Sequence, residues 1–276
     1  MPISHAVVLG IIQALTEFIP ISSTAHLVLI PWLLGWSDGG LLFDVALHAG
    51  TLVAVIIYFF KDWVQIIAHG FRINIGRDAD LKQNPNLLWL LAIGSIPIGI
   101  VGYLFDKQAD TTWRQPYVIG IMMVVVGIVL WVADRGHIGS KSLNAVHSGD
   151  AIVVGLAQAV AVIPGTSRSG ATISAGLFRS MNRETAARFS FLLSTPAIAA
   201  AVAKKAWDIH KEGGVPHDMR MPMLAGIIVS GVLGAVVIAF FLRYLRRSSL
   251  MPFVYYRIVF GIIVIALAAF FRFSAG

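Results

Sequence analysis

Two short stretches of this sequence hold side chains able to act on a phosphate. In the first, Gln13-Ala14-Leu15-Thr16-Glu17 runs on to Pro20-Ile21-Ser22-Ser23-Thr24-Ala25-His26. Glu17 follows Gln13 at i, i+4, so on a helix their oxygens share one face. His26 lies three residues after Ser23 and four after Ser22, so a helix starting at either serine turns the imidazole toward a hydroxyl. A hydroxyl beside a base is the minimal activated nucleophile. The same spacing fits Ser23 as an N-cap and His26 as an interior histidine, and both readings stay open at this point. In the second stretch, Pro164-Gly165-Thr166-Ser167-Arg168-Ser169-Gly170, small and hydroxylated residues precede a helix that runs to about Phe178. Small residues let the backbone approach a ligand closely. The N–H groups and dipole of a helix start favour an anion there, and a guanidinium adds bidentate recognition of phosphate oxygens. An ion pair between Arg168 and Glu17 is the alternative, and it requires the two stretches to touch. Asp44 and His48 form a further i, i+4 pair, which either lines the same cavity or pairs within itself. Carboxylate, hydroxyls, imidazole and arginine together suit a phosphate-bearing amphiphile.

The elements that must position these residues are membrane helices. Of the 276 residues, 57% are hydrophobic and only 13% charged, against roughly 25% charged in soluble domains, and the mean hydropathy is +0.80. That excludes an ordinary soluble enzyme, a disordered chain and a nucleic-acid-binding module, although the pI is near 9.9. The basic excess reads as Lys and Arg flanking membrane spans. The absence of cysteine excludes disulfides, thiolate catalysis and Cys-ligated metals. Nearly charge-free runs at Leu41–Phe60, Leu87–Phe105, Pro116–Ala133, Phe189–Ala203, Met221–Leu242 and Val254–Phe271 predict six spans. Two more apolar segments, Ile3–Trp36 and Ala151–Phe178, are each broken by Pro followed by small hydroxylated residues. Each half of a broken segment is about 15 residues, or roughly 22 Å, too short to span comfortably. The expected architecture is therefore all-α, with six transmembrane helices and two re-entrant helix–turn–helix hairpins.

The broken segments also correspond to one another. Gly10-x-x-Gln13-Ala14 before Ile19-Pro20 matches Gly155-x-x-Gln158-Ala159 before Ile163-Pro164. Downstream, Phe43-x-x-x-Leu47-His48 matches Phe189-x-x-x-Leu193-Ser194. This is the mark of an internal repeat within a single membrane domain, with halves of about 1–134 and 150–276 and a linker at 135–149. Counting crossings makes the halves inverted, so that their broken tips meet near the midplane. Lys and Arg are more frequent in the loops of the face that carries Lys61, Arg183 and Arg246 than in those carrying Lys107 and Lys204. The former face is thus expected to be cytoplasmic, with both termini and the mouth of the first hairpin outside. No cleavable signal peptide is expected, because Met-Pro-Ile-Ser-His lacks a basic start and the apolar stretch contains Glu17. Arg257, after Tyr255-Tyr256 near the start of the last span, is expected to anchor at the interface.

The motif Gln13-x-x-x-Glu17, continuing through Pro20-Ile21-Ser22-Ser23-Thr24-Ala25-His26, and the motif Pro164-Gly165-Thr166-Ser167-Arg168-Ser169-Gly170-Ala171-Thr172 resemble those of the undecaprenyl-diphosphate phosphatase family, also called the bacitracin-resistance protein family. The resemblance covers essentially the whole chain. It implies removal of one phosphate from the C55 isoprenoid diphosphate that carries cell-wall precursors. It implies a bacterial cytoplasmic (inner) membrane location, a site open to the outer face and dependence on a divalent cation, Mg²⁺ or Ca²⁺. By the same resemblance Glu17 and Gln13 lie near the metal, and Ser23 or His26 takes the attacking role. Arg168 binds phosphate, with Gly165, Thr166, Ser167, Ser169, Ser22 and Thr24 around it. Where the family motif has either Glu or Gln first, this chain has Gln13, one carboxylate fewer, so Asp44 or the diphosphate itself is expected to complete the metal ligands. Expected partners are the polyprenyl diphosphate and membrane lipids, with no nucleic acid and a homodimer left open. A polyprenyl-phosphate transporter or flippase using the same midplane site is the alternative reading.

Overall fold

The computed structural model describes every residue except Asp38, His137, Glu212, Ala275 and Gly276, with the backbone alone for 271–274. Among the described residues, thirteen α-helices follow in chain order: α1 (Ile3–Phe18), α2 (Ser23–Leu34), α3 (Gly40–Tyr58), α4 (Phe60–Gly70), α5 (Ala79–Gln83), α6 (Leu87–Leu104), α7 (Asp106–Asp110), α8 (Pro116–Asp134), α9 (Ser148–Val160), α10 (Arg168–Phe178), α11 (Arg183–Lys211), α12 (His217–Leu245) and α13 (Met251–Ser274). Among the described residues there is no β-strand. Six helices, α3, α6, α8, α11, α12 and α13, are long and apolar enough to cross a membrane, so the chain is a multi-pass membrane protein. Their outer faces carry exposed side chains such as Ile96, Ile100, Val232, Val236, Phe240 and Ile262, which explains the scarcity of charge.

Both expected helix breaks are present. Between α1 and α2 the chain turns through 19–22, and between α9 and α10 through 161–167. α11 and α12 extend well beyond the runs Phe189–Ala203 and Met221–Leu242. Their ends carry Arg183, Glu184, Lys204, Lys205 and Arg243, and a helix continues past the apolar slab once its charged residues reach polar surroundings.

The arms of each broken unit pack on each other, α1 on α2 and α9 on α10. The ends away from the break are also tied. In the first unit His5 stacks on Trp36 with ring centroids 3.8 Å apart. In the second, the buried Asp150 near the start of α9 accepts hydrogen bonds from Arg179, just past α10, at 2.8 Å, and from Lys141 of the linker at 3.0 Å. α1 then packs on α12 and α9 on α6, while α3 packs on α12, α11 on α6, and α8 on α13. Close approach at these crossings needs glycine. A Cβ on Gly155 would run into the Gly94 backbone, and one on Gly120 would sit 3.0 Å from the Gly261 carbonyl. Small residues allow such backbone contact between apolar helices, where lipid offers no hydrophobic driving force.

Arg257 is not an interface anchor. It is fully buried, because its guanidinium reaches inward to backbone carbonyls rather than out to the membrane surface.

Candidate active site

Each break ends in a serine that caps the following helix from an unusual backbone position. Ser22 has φ 73° and accepts a hydrogen bond from the Ala25 N–H at 3.4 Å. Ser167 has φ 67° and accepts one from the Gly170 N–H at 3.1 Å. Non-glycine residues avoid positive φ, and strain of this kind clusters at functional sites. Gly165, at φ +90°, passes so close to the Ile119 backbone that a Cβ would collide with it.

The two tips touch, and their meeting point is the carboxylate of Glu17. Arg168 at the start of α10 donates to Glu17 Oε1. Ser23 at the start of α2 donates to Glu17 Oε2 at 2.6 Å, and the Gln13 amide donates to the same oxygen at 3.1 Å. His48 Nε2, from α3, lies 3.3 Å from it. Glu17 and Gln13 are buried, so this one anion is met by the guanidinium of α10 and by polar side chains of α1, α2 and α3, four helices in all. A buried carboxylate demands such partners. Thr172 donates to the Arg168 carbonyl at 2.7 Å and so accepts from the Ser190 hydroxyl at 2.6 Å, which steadies the start of α10.

Of the two readings open for His26, a base beside a serine hydroxyl or an interior histidine, the structure shows the second. Its Nδ1 contacts the Ser22 carbonyl at 2.7 Å and its Nε2 the Tyr256 hydroxyl at 2.6 Å, and its ring stacks on Phe260. The helical spacing brings the ring back over the first turn, but onto the backbone rather than the hydroxyl. The imidazole that does meet Glu17 is His48, which the i, i+4 pattern with Asp44 left between two readings. His48 Nδ1 bonds the Asp44 carbonyl at 2.7 Å. The Asp44 carboxylate is held by Arg114 at 2.8 Å and does not touch Glu17; of the two expected sources of further metal ligands, Asp44 or the diphosphate, the first is engaged elsewhere. Thr166 donates to the Val160 carbonyl and Ser169 to the Ile19 carbonyl, both at 3.3 Å. These two hydroxyls fasten the tips. Arg257, Tyr256 and Arg114 carried no sequence signal of a site role, because each reaches its partner from a distant segment.

A cavity of about 220 Å³ opens at this junction. Its polar side is formed by Glu17, Ser22, Ser23, Thr24, His48, Gly165, Ser167 and Arg168; its other side is apolar, with Val45, Ile98, Ala197 and Ala201. Those four apolar residues also line a larger groove of about 750 Å³, whose far end carries Lys107, Lys204 and Lys205 with Asp106, Asp110 and Asp208. A polar pocket thus continues into a mainly apolar channel between α3, α6 and α11, the shape required by a ligand with an anionic head and a hydrocarbon tail.

Oxygen donors for a divalent cation are limited. Among the described residues no three His, Asp or Glu side chains cluster. The Glu17 carboxylate lines the cavity, and beside it, bonded to Glu17 through its amide N–H, Gln13 keeps a buried Oε1 with no hydrogen-bond partner. Mg²⁺ commonly binds through one or two protein oxygens plus substrate phosphates and water, and this pair fits that pattern.

The model of the bacitracin resistance protein BacA family matches residues 6–263. The chain belongs to that family. Among its relatives, an undecaprenyl-diphosphatase of Pelotomaculum thermopropionicum is 45% identical over 98% of both chains. One from Gemmatimonas aurantiaca is 45% identical over 98% of this chain and 99% of its own. One from Chloroherpeton thalassium is 43% identical over the full length of both. Family membership therefore spans both broken units and all six long helices, not the motifs alone.

Proposed function

We propose that this chain hydrolyses undecaprenyl diphosphate to undecaprenyl phosphate and inorganic phosphate, which returns the lipid carrier to cell-wall synthesis and confers bacitracin resistance. The observation that carries this reading is the contact of Ser23 and Arg168 on one buried carboxylate, at the head of a groove suited to a prenyl chain. The diphosphate lies in the cavity with its terminal phosphate toward Arg168 and the N–H groups at the starts of α2 and α10, which lack partners within their helices. Arg168 releases one Glu17 oxygen to take phosphoryl oxygens. Neutralising those oxygens is the main catalytic demand of phosphoryl transfer. Ser23 Oγ attacks the terminal phosphorus, the bond to the bridging oxygen breaks, and undecaprenyl phosphate leaves. The Ser23 proton passes to Glu17, to which the hydroxyl already donates. Water then hydrolyses the phosphoserine, releasing phosphate and restoring the serine. His48 adjusts the charge on Glu17, and His26 holds the Ser22 carbonyl. A divalent cation, Mg²⁺ or Ca²⁺, would be held by Glu17 and Gln13 and completed by the diphosphate, where it would neutralise phosphoryl charge.

The proposal extends to topology. The two broken units are re-entrant hairpins in inverted repeats, in the bacterial inner membrane, with the site open to the outer face. Support comes from the packing partners. If the first unit, α3, α6 and α8 are exchanged for the second unit, α11, α12 and α13, two of the main packings map onto two others: α1 on α12 becomes α9 on α6, and α3 on α12 becomes α11 on α6. The capping serines Ser22 and Ser167 are likewise equivalent.

Phosphate release from farnesyl diphosphate by the purified protein in detergent tests the reading. Activity should require Mg²⁺ or Ca²⁺ and vanish with EDTA. Arg168→Lys should lose on the order of 100- to 1,000-fold in kcat, as for removal of an oxyanion donor. Near-full turnover by Ser23→Ala would reject covalent catalysis, and equal activity on water-soluble diphosphates would reject a lipid phosphatase.

A further inference from the structure

Arg257 is among the largest fully buried side chains of the molecule, and no carboxylate pairs with it among the described residues. It donates to five backbone carbonyls instead. Nη1 reaches Pro20 O at 3.2 Å, and Nη2 reaches Gly165 O and Thr166 O at 3.0 Å and Met122 O at 3.3 Å. Nε reaches Met123 O at 3.2 Å. Three separate segments, the two breaks and the middle of α8, are thus gripped by one planar group.

Two of the gripped carbonyls lie at the same distance along the chain from the two capping serines. Pro20 lies two residues before the capping serine Ser22, and Gly165 lies two before Ser167. A helix break leaves carbonyls without helical partners, and at membrane depth no water satisfies them. Burying an arginine among apolar helices is expensive, and a hydrocarbon side chain would fill the same volume without that cost but would leave these carbonyls unpaired. The guanidinium therefore does something packing alone does not. It fixes the peptide planes that lead into Ser22–Ser23 and Ser167–Arg168, and it leaves a positive charge behind the starts of α2 and α10.

We propose that Arg257 is a positioning residue for phosphoryl transfer: by clamping the Pro20 and Gly165–Thr166 carbonyls it sets Ser23 and Arg168 in register across the two tips. The proposal rests on the phosphatase reading for its kinetic consequence, but the clamp itself is a statement about the breaks. Lysine cannot replace it, since an ammonium is a point charge with three donors and no planar fork.

The test compares the parent chain with Arg257→Lys, Arg257→Gln and Arg257→Met, each purified in detergent. Folding is followed by gel filtration and thermal unfolding, and amide hydrogen exchange by mass spectrometry. In a folded Arg257→Lys variant, kcat on farnesyl diphosphate should fall about 100-fold, the usual cost of misplacing reacting groups by about 1 Å, while KM stays within about threefold. Exchange should rise at 19–24 and 163–169 and stay unchanged along α3, α11 and α12. A lysine variant with kcat within twofold of the parent overturns the proposal. So does exchange that rises evenly through the molecule, or failure of all three variants to fold, since each makes Arg257 a general stability residue. If the parent itself releases no phosphate, the phosphatase reading fails, and the exchange data still decide whether Arg257 clamps the two breaks.

Discussion

At the residue scale, the site is organised around one carboxylate with more donors than acceptor atoms. Glu17 takes Arg168 on one oxygen, and Ser23, Gln13 and His48 on the other. Gln13 spends its N–H here and leaves its carbonyl oxygen unpartnered. Replacing it by glutamate removes that donor and places a second carboxylate four residues from Glu17. Additional ligand charge tightens the binding of hard cations, so Gln13→Glu should lower the Mg²⁺ concentration for half-maximal phosphate release by about tenfold, and should retain a larger share of its own maximal activity at micromolar Mg²⁺. A Mg²⁺ titration of the two proteins checks this; an unchanged midpoint places the cation away from residue 13. The roles of the two histidines also separate at this scale. Both are i+4 from a residue whose carbonyl they bond, Ser22 for His26 and Asp44 for His48. What distinguishes them is where the free ring nitrogen points, to Tyr256 in one case and to Glu17 in the other.

At the scale of elements, each broken unit works as a lever whose open end must be fixed if its tip is to be precise. In the second unit the fixing point is Asp150. Burial pushes its carboxyl up, but hydrogen bonds from Arg179 and Lys141 and from the His147 N–H outweigh that and hold it below the ordinary aspartate value. A depressed carboxylate stabilises the fold at pH above its unfolded value of about 3.9, and the contribution is lost as pH falls through the lower folded value. Asp150→Asn should therefore lower the unfolding temperature by several degrees from pH 8 to pH 5 with little pH dependence, and the difference should shrink only below about pH 4. Thermal unfolding in detergent across that range measures it. A difference that disappears already near neutrality would mean that the ionised Asp150 is not what holds the base of the unit. The stacked His5 and Trp36 close the first unit by different chemistry at the corresponding place.

At the scale of the whole molecule, charge is sorted by depth. Most Lys and Arg lie at helix ends and in loops, while Glu17, Arg168 and Arg257 sit together at the two breaks. The groove reaches the face carrying Lys107, Lys204 and Lys205, and Arg246 lies at the other. If the first face is outside, cysteine placed at Lys107 in this cysteine-free chain should react with an impermeant maleimide on intact cells. Cysteine at Arg246 should react only after lysis. The reverse pattern would turn the site toward the cytoplasm and remove the lipid-recycling geometry.

Much of this was legible in the order of residues. Hydropathy located the six long helices because a bilayer selects apolar length, a property local to each run. Pro20 and Pro164 marked the breaks, since proline ends helices by its own geometry. The ion pair of Arg168 with Glu17, one of two readings open for that arginine, is the contact through which the tips meet. The ends of α11 and α12 were missed because charge stops a hydropathy window without stopping a helix. The rest came from tertiary structure. Spacing on one helix fixes only which side chains share a face. It does not say that His48 rather than His26 meets Glu17, that Arg114 takes Asp44, or that Arg257 turns inward to carbonyls more than 90 residues away. Those outcomes depend on how α3, α8 and α13 pack around the two tips. A buried charge is satisfied by whichever partner the packing delivers, and no local pattern in the sequence encodes that partner.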